Sequence, residues 1–446
     1  MRMLSTVAGR TDPRGGRFGP LSEPNFRFLY ISRALSLLGD ALVPVALAFA
    51  VLQVDDSPSA LGMVLAARTA SLVVCLLFGG VIADRLSRKR VLIASDLIRL
   101  VAQGISAALV LTGSATVPQL VVLAILFGIG WALFLPTSTG FVPQTVSEPR
   151  LQQANALTAA TFSASQILGP VGAGVLVVSV GPGWALGVDA ATFLISAIFV
   201  GRIRVDEQVE RRQASYITDL REGWREFTSR RWLWVDGVYS GITAFAVLPA
   251  LFALGPIVAD RSLDGARSWA TILTAFGIGS VLGGVVLLKA RPRRPLLVGV
   301  PPLMLLAAPL LLLAISDATI AIAAGALAGG FGLTLFNTLF ETTVQQHVPP
   351  AALSRVASID WMLSQGLQPA GYALVGPAAV AFGVDAPLVG AALWVIATTL
   401  VVLSVRDVRI LSRREVSGPR ERAVVEAPAS EKAHSGSEPQ PPPNGT

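Results

Sequence analysis

An aspartate sits within the first long apolar stretch of a chain of 446 residues. Asp40 lies about fourteen residues beyond Phe26, or ~20 Å at 1.5 Å per helical residue, which is near the middle of any bilayer that stretch crosses. A carboxylate there is costly unless it is paired or protonated. Two cations can reach it: Arg33, seven residues earlier on the same helical face, and Arg68, which enters the second apolar run from the opposite side. Two chemistries stay open. Asp40 either binds and releases a proton, tuned by Arg68 or Arg33, or forms a permanent ion pair that fixes the first two runs together. A second group of charges ends the second run, where Gly80-Val81-Ile82-Ala83-Asp84-Arg85-Leu86-Ser87-Arg88-Lys89-Arg90 passes from apolar to cationic. Asp84 can sit against the positive end of a neighbouring helix, while Arg85, Arg88 and Lys89 bridge to carboxylates or lipid phosphate, forming a latch or a plain topology anchor. Asp96 and Arg99, one or two turns into the third run, are expected as partners of that latch. Glu341, at the same edge of the tenth run, is expected as an inner-gate carboxylate for Arg85 or Arg150, and Asp360 in the eleventh run remains ambiguous.

These residues are held by a chain that is 53% hydrophobic and only 14% charged, with mean hydropathy +0.64. Soluble domains are charged at about 25%, so an all-α integral membrane protein is expected. Twelve runs have spanning length: Phe28 to Val54, Ser59 to Ala83, Val91 to Thr112, Val117 to Val142, Asn155 to Val180, Trp184 to Gly201, Val235 to Ala259, Trp269 to Leu288, Leu296 to Ser316, Ala318 to Val344, Leu353 to Phe382 and Ala386 to Val405. The first is too long for a cleavable signal and has no small-residue cleavage site after it. Of 35 Lys and Arg, 30 fall on the side of the N-terminus, counting Arg355 at the mouth of the eleventh run. Only Arg261 and Arg267 lie opposite. By the positive-inside rule both termini are cytoplasmic, in a cell membrane. The net charge of +7 is thereby an orientation signal, and nucleic acid is not expected as a partner. One cysteine, Cys75, and two histidines, His347 and another in the tail, leave no zinc site. No phosphate-cradling loop or nucleophile elbow is present, so neither a cofactor nor enzymatic activity is expected.

The chain repeats itself. Ser165-Gln166-Ile167-Leu168-Gly169-Pro170-Val171-Gly172 recurs as Ser364-Gln365-Gly366-Leu367-Gln368-Pro369-Ala370-Gly371, and Gly79-Gly80-Val81 with Lys89-Arg90 recurs as Gly283-Gly284-Val285 with Arg293-Arg294. The offsets, 199 and 204, are near half the membrane portion. The expected organisation is a cytoplasmic segment 1–25, a six-helix bundle 26–204, a linker 205–232, a second six-helix bundle 233–406 and a mostly disordered tail 407–446. Within the linker, apolar Ile217, Leu220, Trp224 and Phe227 have the spacing of an amphipathic helix lying on the inner membrane surface. Gly169, Pro170, Gly172 and Gly174 in the fifth run, and Pro369 in the eleventh, are expected to allow close contact and helix bending.

The loop after the second run resembles the signature G-x-L-A-D-R-x-G-R-K of the major facilitator superfamily, with Ser87 in place of the second glycine. Gly169-Pro170-Val171-Gly172-Ala173-Gly174 is similar to an element of that superfamily's proton-coupled exporters. Leu38-Gly39-Asp40, Asp96-Leu97-Ile98-Arg99, Phe134-Leu135-Pro136 and Ala154-Asn155-Ala156-Leu157 resemble the branch containing the enterobactin exporter and macrolide efflux pumps. The resemblance implies twelve helices in two pseudo-symmetric bundles, with Asp84 facing the start of span 11 and the loop closing the cytoplasmic side in one state. Leu288, where the repeat needs a second aspartate, implies an asymmetric latch. The fourth run lacks the arginine that many drug/proton antiporters of the superfamily carry.

The expected function is export of an amphipathic compound, a drug, antibiotic or siderophore, by a monomer in the lipid bilayer, with protons as the coupling ion. Trp131, Phe134, Tyr239, Phe245, Phe336 and Asn337 are candidate cavity residues. An uncoupled facilitator or metabolite exporter is the alternative within transport. A permease-like or sensor protein without transport of its own is the alternative of a different class.

Overall fold

In a computed structural model, residues 19–85, 87–205, 216–290 and 292–412 are described, the side chains of 77–85, 216–220, 350, 351 and 354 excepted. Expectations for the N-terminal segment to residue 18, for 206–215 of the linker and for the tail from 413 lie outside these residues. Among the described residues no strand occurs. Eleven helices are long and apolar enough to cross a membrane: Pro24–Val54, Pro58–Leu76 (continuing to Arg85), Arg88–Leu111, Val117–Gln144, Glu148–Val180, Pro182–Arg202, Arg231–Ser262, Ala266–Lys289, Pro295–Ile315, Thr319–His347 and Asp385–Ser404. The twelfth is delivered in two pieces, Pro350–Gly366 and Gln368–Phe382. Numbered in chain order these are spans 1 to 12, the two-piece helix being span 11.

Proline decides where spans break. Span 1 ends its first helix at Asp40 and resumes at Val43. Pro44 has no N–H to offer the Asp40 carbonyl, so the ladder is interrupted at that aspartate. Span 7 widens into a π-helical turn at Ala250–Leu254 after Pro249, span 9 tightens to a 3₁₀ turn at Pro301–Leu306, and span 11 breaks at Leu367 beside Pro369. Span 5, by contrast, is helical without interruption from Leu151 through Pro170 to Val180.

The packing repeats between halves. Span 1 packs on spans 5 and 6, span 2 on 4, and span 3 on 4 and 6; span 7 packs on 11 and 12, span 8 on 10, and span 9 on 10 and 12. Each pairing in the first set has its counterpart six spans later, giving two pseudo-symmetric six-helix bundles, the major facilitator fold. Among the described residues the bundles meet mainly through two matched contacts, span 2 with span 11 and span 5 with span 8. Small residues make the approach possible: a Cβ on Gly62 would lie 2.6 Å from the Tyr372 carbonyl oxygen. This contact lies toward the end remote from both termini, where Arg261 also donates to the Asp56 carbonyl (2.7 Å) and pairs with its carboxylate (3.3 Å).

The linker helix, Tyr216–Thr228, forms where its spacing predicts. Its described part docks on protein: Phe227 is buried, Gly223 faces Arg355, and Glu222 accepts from Arg355 of span 11 at 3.0 Å. A helix resting only on the membrane surface would have left Phe227 uncovered.

Candidate functional site

Span 3 begins at Arg88, so Arg99 lies about eleven residues in, or ~16 Å deep, rather than at the helix edge. Its guanidinium, fully buried, pairs with Asp96 at 2.6 Å on its own helix and with Asp40 of span 1 at 3.4 Å. It is also sandwiched between the rings of Phe134 (4.3 Å to centroid) and Phe193 (4.2 Å). Ser196 donates to the other Asp96 oxygen at 2.6 Å, and its hydroxyl is 2.7 Å from Ser32. Asp40, Asp96 and Arg99 thus form one cluster that joins spans 1, 3 and 6, buried at Asp96 and Arg99 and partly exposed at Asp40. The expected split between a midplane Asp40 and an edge pair of Asp96 and Arg99 is corrected by the contact of Arg99 with Asp40.

The cation in contact with Asp40 is Arg99, while Arg68 faces the same carboxylate only at longer range. Arg68 instead lies over the rings of Phe127 (4.1 Å) and Trp131 (5.4 Å) on span 4, where cation–π attraction replaces an ion pair. Arg33 has a buried Nε without a hydrogen-bond partner. Gly169 and Gly172 of span 5 press against the break in span 1, at Ala41 and Leu42, and Gly174 against Ala270 of span 8. Around Pro170 the glycines serve close contact in an unbroken helix, while Pro369 accompanies a real break.

Two buried carboxylates have no counterpart in the sequence expectations. Asp189 of span 6 accepts from Gln103 Nε2 at 2.7 Å, and Asp236 of span 7 is approached by the Ser240 hydroxyl at 3.5 Å. The signal was available, since any charge inside an apolar run marks a functional position. Asp236 faces Asp360 of span 11, whose Oδ1 is buried and unpaired.

At the termini end, Ser87 caps span 3, accepting from the Arg90 N–H at 3.3 Å. Its φ of −56° shows that no glycine is required at that position. Arg88 donates to the Gly140 carbonyl, and Lys89 to the Ile203 carbonyl at 2.8 Å, tying the loop to spans 4 and 6. Gly80, Asp84 and Arg85 belong to the last turns of span 2, but their side chains lie outside those described. Arg150 binds Glu23 (3.3 Å), Ser22 and the Gly19 carbonyl rather than Glu341. Among the described residues Glu341 is exposed and forms no ion pair.

Of the candidate cavity residues, Tyr239 is buried, its hydroxyl 2.7 Å from Thr399 of span 12 and its ring edge-on to Phe336. Phe134 and Phe336 are likewise buried. These three fill packing positions. Asn337 is exposed, and Trp131 and Phe245 are half-buried.

The chain is similar to known proteins in sequence and in fold. The family profile described as "Transmembrane secretion effector" matches residues 15–427. Multidrug efflux pump Tap of Mycolicibacterium fortuitum is 27% identical over 380 residues, covering 78% of this chain and 87% of the pump. Macrolide efflux protein A of Streptococcus pyogenes is 23% identical over 373 residues, covering 81% of this chain and 90% of that protein. Among solved structures, a mutant of peptide transporter POT superposes with TM-score 0.72 at 12% identity, over 88% of this chain and 96% of that one. A bacterial homologue of the human lysosomal transporter Spinster, inward-facing and unoccupied, gives TM-score 0.63 at 16% identity over 88% and 98%. At those identities the structural likeness concerns the fold alone.

Proposed function

Because the chain belongs to the transmembrane secretion effector family of the major facilitator superfamily, and is a transporter rather than an enzyme, we propose that it exports an amphipathic organic compound, with protons entering as the driving ion. The relatives named for multidrug and macrolide efflux support the substrate class. The observation that carries coupling is the position of Asp40. It ends a helix bound to spans 5 and 6 of its own bundle, while the segment after the break, Val43–Val54, also touches spans 7 and 8 of the other. Movement between bundles therefore bears on the hinge where Asp40 meets Arg99. A change of ionisation in the cluster alters that contact, and the same contact biases the movement.

In this reading the bundles 26–204 and 233–406 rock about a central cavity. The contacts remote from the termini, Asp56 with Arg261 and Gly62 with Tyr372, hold the outer side shut. The termini lie in the cytoplasm, as the basic loops require. Arg88, Lys89, Asp84 and Arg85 belong to the opposing gate. Everted vesicles test the proposal with ethidium and a macrolide as probes. Uptake should follow an imposed pH gradient, collapse with an uncoupler, and be lost in Asp40→Asn. Gradient-independent counterflow that survives Asp40→Asn would identify an uncoupled facilitator instead.

A further inference from the structure

Asp189 has no exposed surface and no ion pair among the described residues. Gln103 Nε2 donates to its Oδ2, but Oδ1 is buried without a hydrogen-bond partner. An ionised carboxylate spreads its charge over both oxygens, and in a dry interior it demands a cation or several donors. A protonated carboxyl fits this environment better. Gln103 then serves the carbonyl oxygen and Oδ1 becomes the hydroxyl. Thr192 Oγ1, whose own hydrogen goes to the Asp189 main-chain carbonyl at 2.7 Å, lies on the same side of Gly39 without a hydrogen bond to Oδ1. Both oxygens converge on Gly39, where a Cβ would collide with each of them. Gly39 precedes Asp40, so Asp189 reaches the span 1 break by the closest approach a backbone permits.

The charged neighbours come from three elements. Span 1 supplies Asp40, span 2 Arg68, and span 3 Arg99 with the neutral Gln103, and Asp96 joins the set through its ion pair with Arg99. Span 5, which also packs on span 6, carries no charged residue between Leu151 and Val180. Arg99 is occupied by Asp40 and Asp96, and Arg68 is stacked on aromatic rings. Three carboxylates thus face two guanidiniums, and one proton balances the set.

We propose that Asp189 is a proton-binding site, protonated at neutral pH in this conformation, and that its proton is the one carried across the membrane while Asp40 stays ionised against Arg99. The carriage rests on the proton-coupled reading above; the protonation does not. On release the O–H bond breaks, the proton passes to water on the open side and the electron pair stays on the carboxylate. The new anion then competes for Arg68 or Arg99, and any withdrawal of Arg99 leaves Asp40 without its cation.

Infrared spectra of the full-length protein in lipid nanodiscs, in H2O and D2O, test the site. At pH 7 the wild type minus Asp189→Asn difference should show a protonated-carboxyl C=O band that shifts in D2O. The wild type minus Asp40→Asn difference should show none. Gln103→Leu, which removes the donor to the carbonyl, should move the band to higher wavenumber, and this variant decides the matter if Asp189→Asn does not fold. A flat Asp189→Asn difference, or a band unmoved by Gln103→Leu, overturns the site. In everted vesicles Asp189→Asn should abolish pH-gradient-driven ethidium uptake and Asp189→Glu should restore it. If the infrared band behaves as expected but the wild type shows no gradient-driven uptake, proton carriage is overturned along with the coupled reading. If the wild type transports and the band is missing, the site is overturned and the coupled reading stands.

Discussion

Replacing Arg99 with methionine keeps most of the side-chain volume and deletes the cation on which two acids depend. The wild-type guanidinium makes a 2.6 Å charge-assisted bond to Asp96, a longer 3.4 Å bond to Asp40, and face contacts with Phe134 and Phe193. The short bond is worth about 1.5–3 kcal/mol, the long one less, and each desolvated ring contact about 2 kcal/mol, much of which the methionine sulfur retains at about 0.3–1.5 kcal/mol per ring. A loss of about 3–5 kcal/mol follows, the range found when one partner of a buried pair is removed. Most of that loss is the stranded charge of Asp96, which is 1% exposed. The double variant Arg99→Met with Asp96→Asn should therefore recover most of the stability, because the remaining amide can still accept from Ser196. Denaturant or thermal unfolding in one fixed detergent measures both variants. If Arg99→Met is as stable as wild type, or if adding Asp96→Asn lowers stability further, the cluster is not held by the charges assigned to it.

Gly169→Ala should destabilise by about 1–3 kcal/mol through overpacking, since its Cβ would collide with Ala41 and lie 2.7 Å from that residue's carbonyl oxygen, which cannot yield. Gly104→Ala, which meets nothing within 4 Å in the middle of span 3, should instead stabilise by up to about 1 kcal/mol, and the same unfolding assay separates the two. At the loop before span 3, Ser87→Ala should cost about 1 kcal/mol for the lost cap, whereas Ser87→Gly should cost only a few tenths; equal losses in the two variants would remove the capping role.

The helices were legible to within about a turn, the starts at Phe28, Asn155 and Val235 lying at Pro24, Leu151 and Arg231. Hydropathy located Val117 and Val180 as termini because a span must change solvent there, and the recurrence of Ser-Gln-x-Leu-x-Pro-x-Gly announced two bundles whose packing pairs do match. What failed was depth and partnership. Counting span 3 from Val91 leaves Arg99 near the helix edge, whereas its contacts with Asp40, Phe134 and Phe193 place it in the bundle interior. Depth and side-chain reach point Arg68 at Asp40, and it does face that carboxylate at long range, but its guanidinium stacks on Phe127 and Trp131, and rotation about a span's own axis is set by neighbours rather than by local sequence. Tyr239 and Phe336 read as cavity aromatics for the same reason. Asp189 was visible as a charge in an apolar run, but its importance comes from Gly39 and Gln103, 150 and 86 positions away.

The segment after the span 1 break has a consequence for the membrane around it. Nine of the twelve residues of Val43–Val54 are buried among other helices, whereas span 12 exposes Leu400 and Val401 and span 10 exposes Ile320. Lipid acyl chains touch the latter and scarcely touch the former. Bilayer thickness acts on a helix through the surface it offers to lipid, tilting it at a fraction of a kcal/mol per Å of mismatch. In the rocking proposed above, this segment is thereby insulated from changes in lipid composition that the peripheral spans must absorb, so the proposed cycle should keep its energetics across membranes of different thickness.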